Sequence, residues 1–183
     1  MTTTAPTTAD RDPFSDIKIA TLAHLKQHGC GCYPYSDGSL LATLTAATKA
    51  TTVVELGTAL GYSAAWFAGT GAHVHTIDRD PVHSRRAYDH LARHNLADRV
   101  SRHTGEGTHI LPTLALTGTD IAFFDGYAPT AAAIRALTAT LRPGGLLIAG
   151  NMTLGGQADQ IRDQLATWQH TDLGETLLAV KPQ

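Results

Sequence analysis

The sequence predicts an α/β domain: a mostly parallel sheet, covered by helices on both faces and closed at one edge by an antiparallel hairpin. Three observations predict it. Short β-branched or apolar runs alternate with helix-length segments from Thr52 onward, and single helices separate the strands, as right-handed crossovers require. Near the C-terminus, two short extended segments are joined only by Leu173-Gly174-Glu175.

Two helices precede the sheet. Asp12-Pro13 is an N-cap and N1 pair, and Ile17, Ala20, Leu22 and Leu25 follow a loosely helical spacing until Gly29. Residues 33–38 read as a turn, after which Leu40, Leu41, Leu44 and Ala47 place an apolar stripe on a second helix. Strands are then predicted at 52–56, 73–78, 99–104, 120–125 and 145–149. Helices are predicted at 81–95, 108–117, 130–141 and 157–168, and the closing hairpin pairs 169–172 with 176–181.

A length of 183 residues with 43% hydrophobic content suits one domain with a single good-sized core. We expect that domain at 12–183, behind a loose Thr/Ala/Pro-rich tail at 1–11. A net charge of −2 and the absence of a basic stripe argue against nucleic acid as a partner and favour a small molecule. The tail lacks the basic and apolar regions of a signal peptide, and no apolar run reaches membrane-spanning length. Cys30 and Cys32 are too close for a usual structural disulfide and too few for a disulfide scaffold, which fits a reducing compartment. A cytoplasmic location is therefore expected. Ala/Thr richness and ten arginines against four lysines suggest a GC-rich bacterial genome.

The run from Val53 to Ser63 carries the chemistry. Two valines favour a strand, Gly57 and Gly61 permit positive φ and close approach to a ligand, and Ser63 can cap the helix that follows. The spacing is G-x-x-x-G, so the dinucleotide fingerprint G-x-G-x-x-G is not met. Glu55 precedes the first glycine and Asp78 ends the next strand. Together they resemble motifs I and II of class I S-adenosylmethionine-dependent methyltransferases.

The matched order of segments extends the resemblance to the small cation-dependent O-methyltransferases, the catechol and caffeoyl-CoA type. The segments are Val53 to Ser63, Thr76 to Pro81, Asp120 to Asp125, Leu141 to Asn151 and the closing hairpin. The resemblance implies a Rossmann-like three-layer sandwich with a seven-stranded sheet and S-adenosyl-L-methionine at the carboxyl ends of the strands. It implies methyl transfer to an oxygen or similar nucleophile, most simply a phenolic or natural-product hydroxyl, and a homodimer. Carried over residue by residue, it makes Glu55, Gly57, Tyr62, Ser63, Asp78, Arg79, Glu106, Gly107 and Asp125 cofactor contacts. A strand-end carboxylate such as Asp78 can accept the two ribose hydroxyls, and Glu55 and Asp125 are expected on the same negative rim, which suits a sulfonium and an ammonium group.

Two departures from that family fall on one function. Its metal is held by an Asp after the fourth strand and an Asp-Asn pair after the fifth; here these are Asp125 and Gly150-Asn151, so one ligand carboxylate is missing. The lysine expected three positions after the first Asp is Ala128. Asp125 with Asn151 is an incomplete site for Mg²⁺, and weak or absent dependence on a divalent cation follows. Methyl transfer needs mainly in-line alignment, for which about 7–11 kcal/mol is available, so the loss is tolerable. Asp125 is then the first choice of base, with Tyr127 as its hydrogen-bonding partner and His109 a more distant candidate. The alternatives are N-methylation or a non-methylating reaction at the same cofactor site, or a catalytically inactive S-adenosylmethionine-binding partner subunit. The connection at 152–156 is also shorter than the family's substrate-covering segment. That favours a bulky acceptor, a carrier-bound acceptor or a pocket completed by a neighbouring subunit, unless a loop such as 30–38 closes the mouth instead.

Among ten histidines, His24-x₃-His28-x-Cys30-x-Cys32 is the one cluster of ligand-type residues at short spacing. It matches no established zinc pattern, and the sequence leaves open whether it binds anything. His83, His90 and His94 are expected on a solvated helix face.

Overall fold

Seven strands form one sheet in the order β3-β2-β1-β4-β5-β7-β6, in a computed structural model that describes residues 12–183. The expected tail at 1–11 lies outside the described residues. The strands are β1 Thr52–Leu56, β2 His73–Asp78, β3 Val100–Thr104, β4 Thr119–Phe124, β5 Leu141–Ala149, β6 Gln169–Asp172 and β7 Leu177–Val180. β1 to β5 pair in parallel, and β7 runs antiparallel to both of its neighbours, β5 and β6. The hairpin read from the sequence thus places its second strand inside the sheet and leaves β6 as the edge.

The helices are α1 Ser15–His28, α2 Gly38–Thr48, α3 Tyr62–Gly69, α4 Pro81–Arg93, α5 Gly107–Thr113, α6 Ala131–Thr140 and α7 Ala158–Gln164. Both sheet faces are covered. Val53, Val74, Ile121, Phe123 and Ile148 pack with Ile17, Leu41 and Phe67 on one side. Val54, Ala122, Phe124 and Leu147 pack with Leu111, Ile134 and Leu137 on the other. Burial of alternating residues on opposite faces is why the central strands read as continuous apolar runs.

Several boundaries differ from the sequence reading. α1 begins at Ser15, because Asp12 turns the chain first: Phe14 N donates to Asp12 Oδ1 at 2.9 Å, and the Phe14 ring packs edge-on to Trp66. Its inward face is Ile17, Thr21 and His24, whereas Leu22 is exposed. α5 and α7 stop short of their expected ends. β5 begins earlier than expected, since Leu141 already pairs with Thr119.

Remote from the site, one carboxylate binds three strands. Asp120 Oδ2 accepts from Thr51 N, Thr51 Oγ1 and Thr52 N at 2.8, 3.0 and 3.0 Å, and its Oδ1 accepts from Arg142 Nε at 2.7 Å.

Candidate functional site

The strand register builds the site. Leu56 pairs with Ile77 and with Phe124, and Phe124 pairs with Ala149, so four strands end level. The next residue of each, Gly57, Asp78, Asp125 and Gly150, stands in a row along the carboxyl ends, where open α/β sheets bind ligands. Gly57 has φ 106°, and a Cβ there would lie 2.5 Å from the Asp125 carbonyl oxygen, so no other residue fits between β1 and β4.

Two cavities open on this row. A larger one of about 480 Å³ is lined by Gly57, Asp78, Arg79, Glu106, Gly107 and Asp125, among others. A smaller one of about 280 Å³ is lined by Tyr35, Asp125, Tyr127, Asn151, Glu175 and Thr176, with Gly31, Tyr33, Pro34 and Ser36 as an outer wall. Asp125 and Tyr127 border both. The 30–38 loop therefore does wall the mouth left by the short 152–156 connection, and a Cβ at Gly31 would touch the Tyr127 ring at 3.0 Å.

Asp78 is held by its surroundings. Its Oδ1 accepts from Asp80 N at 2.9 Å, and its Oδ2 accepts from Ala59 N at 2.8 Å and from His83 Nδ1 at 3.2 Å. Burial works against its charge, yet the His83 and backbone hydrogen bonds prevail and hold the carboxyl below the usual range. Three of its roughly four acceptor positions are in use.

Glu55 is not on the rim, contrary to the sequence expectation. It is fully buried, and its oxygens accept from Ser63 Oγ and, at 2.6 Å, from Thr76 Oγ1, which is itself 2.6 Å from Thr58 Oγ1. Burial pushes its carboxyl up to about 7 against those hydrogen bonds, and the nearby Asp78 charge adds to the rise. Tyr62 and Ser63 are buried too: the Tyr62 hydroxyl donates to Asp12 Oδ2 at 2.7 Å and Ser63 serves Glu55. Their side chains are engaged beneath the groove.

Asp125 follows β4 at the junction of the cavities, and burial, with the Glu55 charge adding, holds its carboxyl well above the usual carboxylate range. Tyr127 is exposed. Asn151, at φ 59°, donates Nδ2 to Gly126 O at 2.7 Å. A resident Mg²⁺ does not fit this donor set of one carboxylate and one amide tethered to Gly126 O, with a glycine where a second carboxylate is needed. Exposed His109 lines neither cavity.

Residues 54–152 match the family described as methyltransferase domain. That is more than half of the chain. The chain belongs to the class I methyltransferases, in the small O-methyltransferase family. A catechol O-methyltransferase of Mycobacterium tuberculosis is 33% identical over 66% of this chain and 56% of its own length. One from Niastella koreensis is 31% identical over 78% of this chain and 68% of its own. This methyltransferase thus spans between about half and two thirds of the curated relatives it matches. Among solved structures, the O-methyltransferase TomG of Streptomyces achromogenes, in complex with SAM, superimposes with a TM-score of 0.79. It is 23% identical, over 93% of this chain and 89% of that one, a likeness of fold.

Sequence reasoning about the methyltransferase missed His83 and misplaced His90. Both are buried, at 7% and 8% exposure, and only His94 keeps a surface role, bonding Asp16 at 3.0 Å. A signal for His83 was available: with Asp80 as N-cap and Pro81 at N1, the third helical position returns toward the end of β2, where Asp78 sits. The reading of Cys30 and Cys32 as unpaired is also corrected, since their sulfurs are bonded, with Cα atoms 5.4 Å apart. Among the described residues no helix is long and apolar enough to cross a membrane.

Proposed function

We propose that this chain is an S-adenosylmethionine-dependent O-methyltransferase for a small phenolic or natural-product hydroxyl, independent of a resident divalent cation. The observation that carries the reading is the meeting of two cavities at Asp125 and Tyr127. The larger cavity, with Asp78 and Gly57 on its floor and Glu106 and Gly107 on its wall, has the residues to hold the nucleoside. The smaller is the acceptor pocket. The bound cofactor supplies a methyl group on a sulfonium, already activated for displacement.

The chain's own residues supply position and proton handling. Asp78, fixed by His83 and two amides, offers its remaining acceptor capacity to ribose. Tyr35, whose hydroxyl lies 2.9 Å from Thr176 Oγ1, and the 30–36 wall hold the acceptor against Asp125. Asp125 accepts the hydroxyl proton. A carboxylate raised by burial is a stronger base than an exposed one, and such a base contributes about 10²–10⁴-fold. Tyr127 forms the shared wall and steers the incoming oxygen.

The test is incubation with methyl-labelled cofactor and a panel of catechols, other phenols and amines, with chelator and with Mg²⁺. Label in a phenol ether, unchanged by chelator, is expected. Label in amines alone replaces O-methylation by N-methylation, and cofactor binding without turnover of any acceptor supports the inactive partner.

A further inference from the structure

At the wall of the larger cavity, which Cys30, Cys32 and His83 line, the structure gathers these three with His24 behind them, a set of ligand-type residues that the sequence only half showed. His24 comes from the buried face of α1, Cys30 and Cys32 from the segment after it, and His83 from the first turn of α4. Each offers one donor atom, and the four atoms lie within 4.8 Å of one another. His28 is exposed and outside the set, although its ring is 4.5 Å from that of His24.

Two thiolates and two imidazoles are a donor set of structural zinc. In a tetrahedral site with bonds of about 2.0–2.3 Å, donors stand about 3.3–3.8 Å apart, so contraction of the longer spacings, with the two sulfurs parting once their bond is reduced, brings this set into range. A second observation points to an ion. His83 is buried, yet its Nε2 has no hydrogen-bond partner among the described residues, and Asp80 Oδ2 is 3.7 Å away. Leaving a buried imidazole nitrogen unpaired is costly. The other nitrogen donates to Asp78, which leaves Nε2 with the lone pair. That is the carboxylate-histidine-metal arrangement that aims and polarises a ligand imidazole.

Two features keep the cluster closed as it stands. Cys30 and Cys32 are bonded to each other, and Arg86 Nη1 lies 2.8 Å from His24 Nδ1. Reduction of the disulfide adds two electrons and two protons, and coordination then displaces the two thiol protons. An ion on His24 Nε2 needs the ring proton on Nδ1, so Arg86 has to let that nitrogen go.

We propose that in the dithiol state His24, Cys30, Cys32 and His83 form a Zn²⁺ site, separate from the Asp125 and Asn151 pair. The ion ties the end of α1 and the cavity wall to α4, and through His83 it fixes Asp78. The assignment does not depend on which acceptor, if any, the chain methylates.

The test uses the full chain, reduced with a phosphine under argon, stripped with chelator and titrated with Zn²⁺ or Co²⁺. One equivalent retained after desalting is expected, with a higher melting temperature and, for Co²⁺, thiolate charge-transfer absorption with tetrahedral visible bands. The oxidised form of the same chain should retain none, a comparison that needs no variant. Cys32→Ser and His83→Gln should each weaken binding about tenfold or more, and His28→Gln should leave it unchanged. If Cys32→Ser does not fold, Cys30→Ser takes its place, that residue being less buried. Equal uptake by oxidised protein, a Co²⁺ spectrum without thiolate absorption, or loss of uptake in His28→Gln overturns the assignment.

Discussion

Gly150 faces Asp125 across the ends of β4 and β5, so that a Cβ built on Gly150 would lie 3.5 Å from Asp125 Oδ1. A carboxylate at 150 therefore enters the space beside Asp125. Gly150→Asp should bind Mn²⁺ about tenfold or more tightly than the parent, by electron paramagnetic resonance titration, as ligand charge count sets such affinities. Without cation it should be less stable by about 1–2 kcal/mol, because the Cβ presses on Phe124 O at 3.1 Å and two carboxylates repel. Unchanged affinity would mean that position 150 does not decide the metal question.

Glu55 makes stability depend on pH in a stated direction. Its folded pKa, about 7, lies above its ordinary 4.5. Below about 4.5 the group is protonated in both states. Between there and about 7 the folded protein keeps a proton that the unfolded chain loses, so this contribution falls as pH rises and is level above about 7. The loss is on the order of 3 kcal/mol. Glu55→Gln, which mimics the protonated acid, should flatten that part of the urea-denaturation profile. A profile as steep as the parent's would show that the proton resides elsewhere.

Asp78→Ala should weaken S-adenosylmethionine or its demethylated product roughly tenfold to a hundredfold by calorimetry, the cost of losing a charged hydrogen-bond acceptor. The melting temperature needs recording alongside, because the carboxylate also holds Ala59 N and Asp80 N. Unaltered affinity in a folded variant removes the ribose assignment.

Gly57→Ala should destabilise the fold by about 2–4 kcal/mol, from left-handed strain at φ 106° and collision with the Asp125 carbonyl. Denaturant midpoints measure it. A neutral result would mean that β1 and β4 can part without consequence.

Asp125→Asn should lower kcat by about 10²–10⁴-fold and remove the rise of rate with pH that a raised carboxyl pKa imposes on a general base. Tyr127→Phe should change kcat less than about threefold, and Tyr127→Ala should mainly raise KM, because the ring acts as a wall. If Tyr127→Phe costs as much as Asp125→Asn, the hydroxyl belongs to the proton path.

The strand ends were legible because each central strand is a short apolar run closed by Gly or Asp, and Gly57, Asp78 and Asp125 follow from that punctuation. Glu55 was harder to place. Its position in β1 is plain, but the hydroxyls that let it be buried come from Thr76 on β2 and Ser63 on α3, and pairing across elements leaves no trace in spacing. α4 shows the same limit: three histidines on one helical face look alike, while only packing against β2 and α1 decides that His83 meets Asp78 and His94 meets Asp16. In α1, Thr21 and His24 turn inward because Thr21 satisfies its hydroxyl on Ile17 O at 2.8 Å and His24 meets Arg86. An apolar stripe alone pointed to Leu22.

The Asp120 clamp should give the sheet an uneven stiffness. Thr51, Thr52 and Arg142 converge on one carboxylate at the amino ends of three strands. The opposite ends finish in glycines and loops. Slow amide exchange should therefore concentrate at the clamped base, while the loops breathe around an entering guest. The sheet should then behave as a hand held at the wrist, with its fingers free to close.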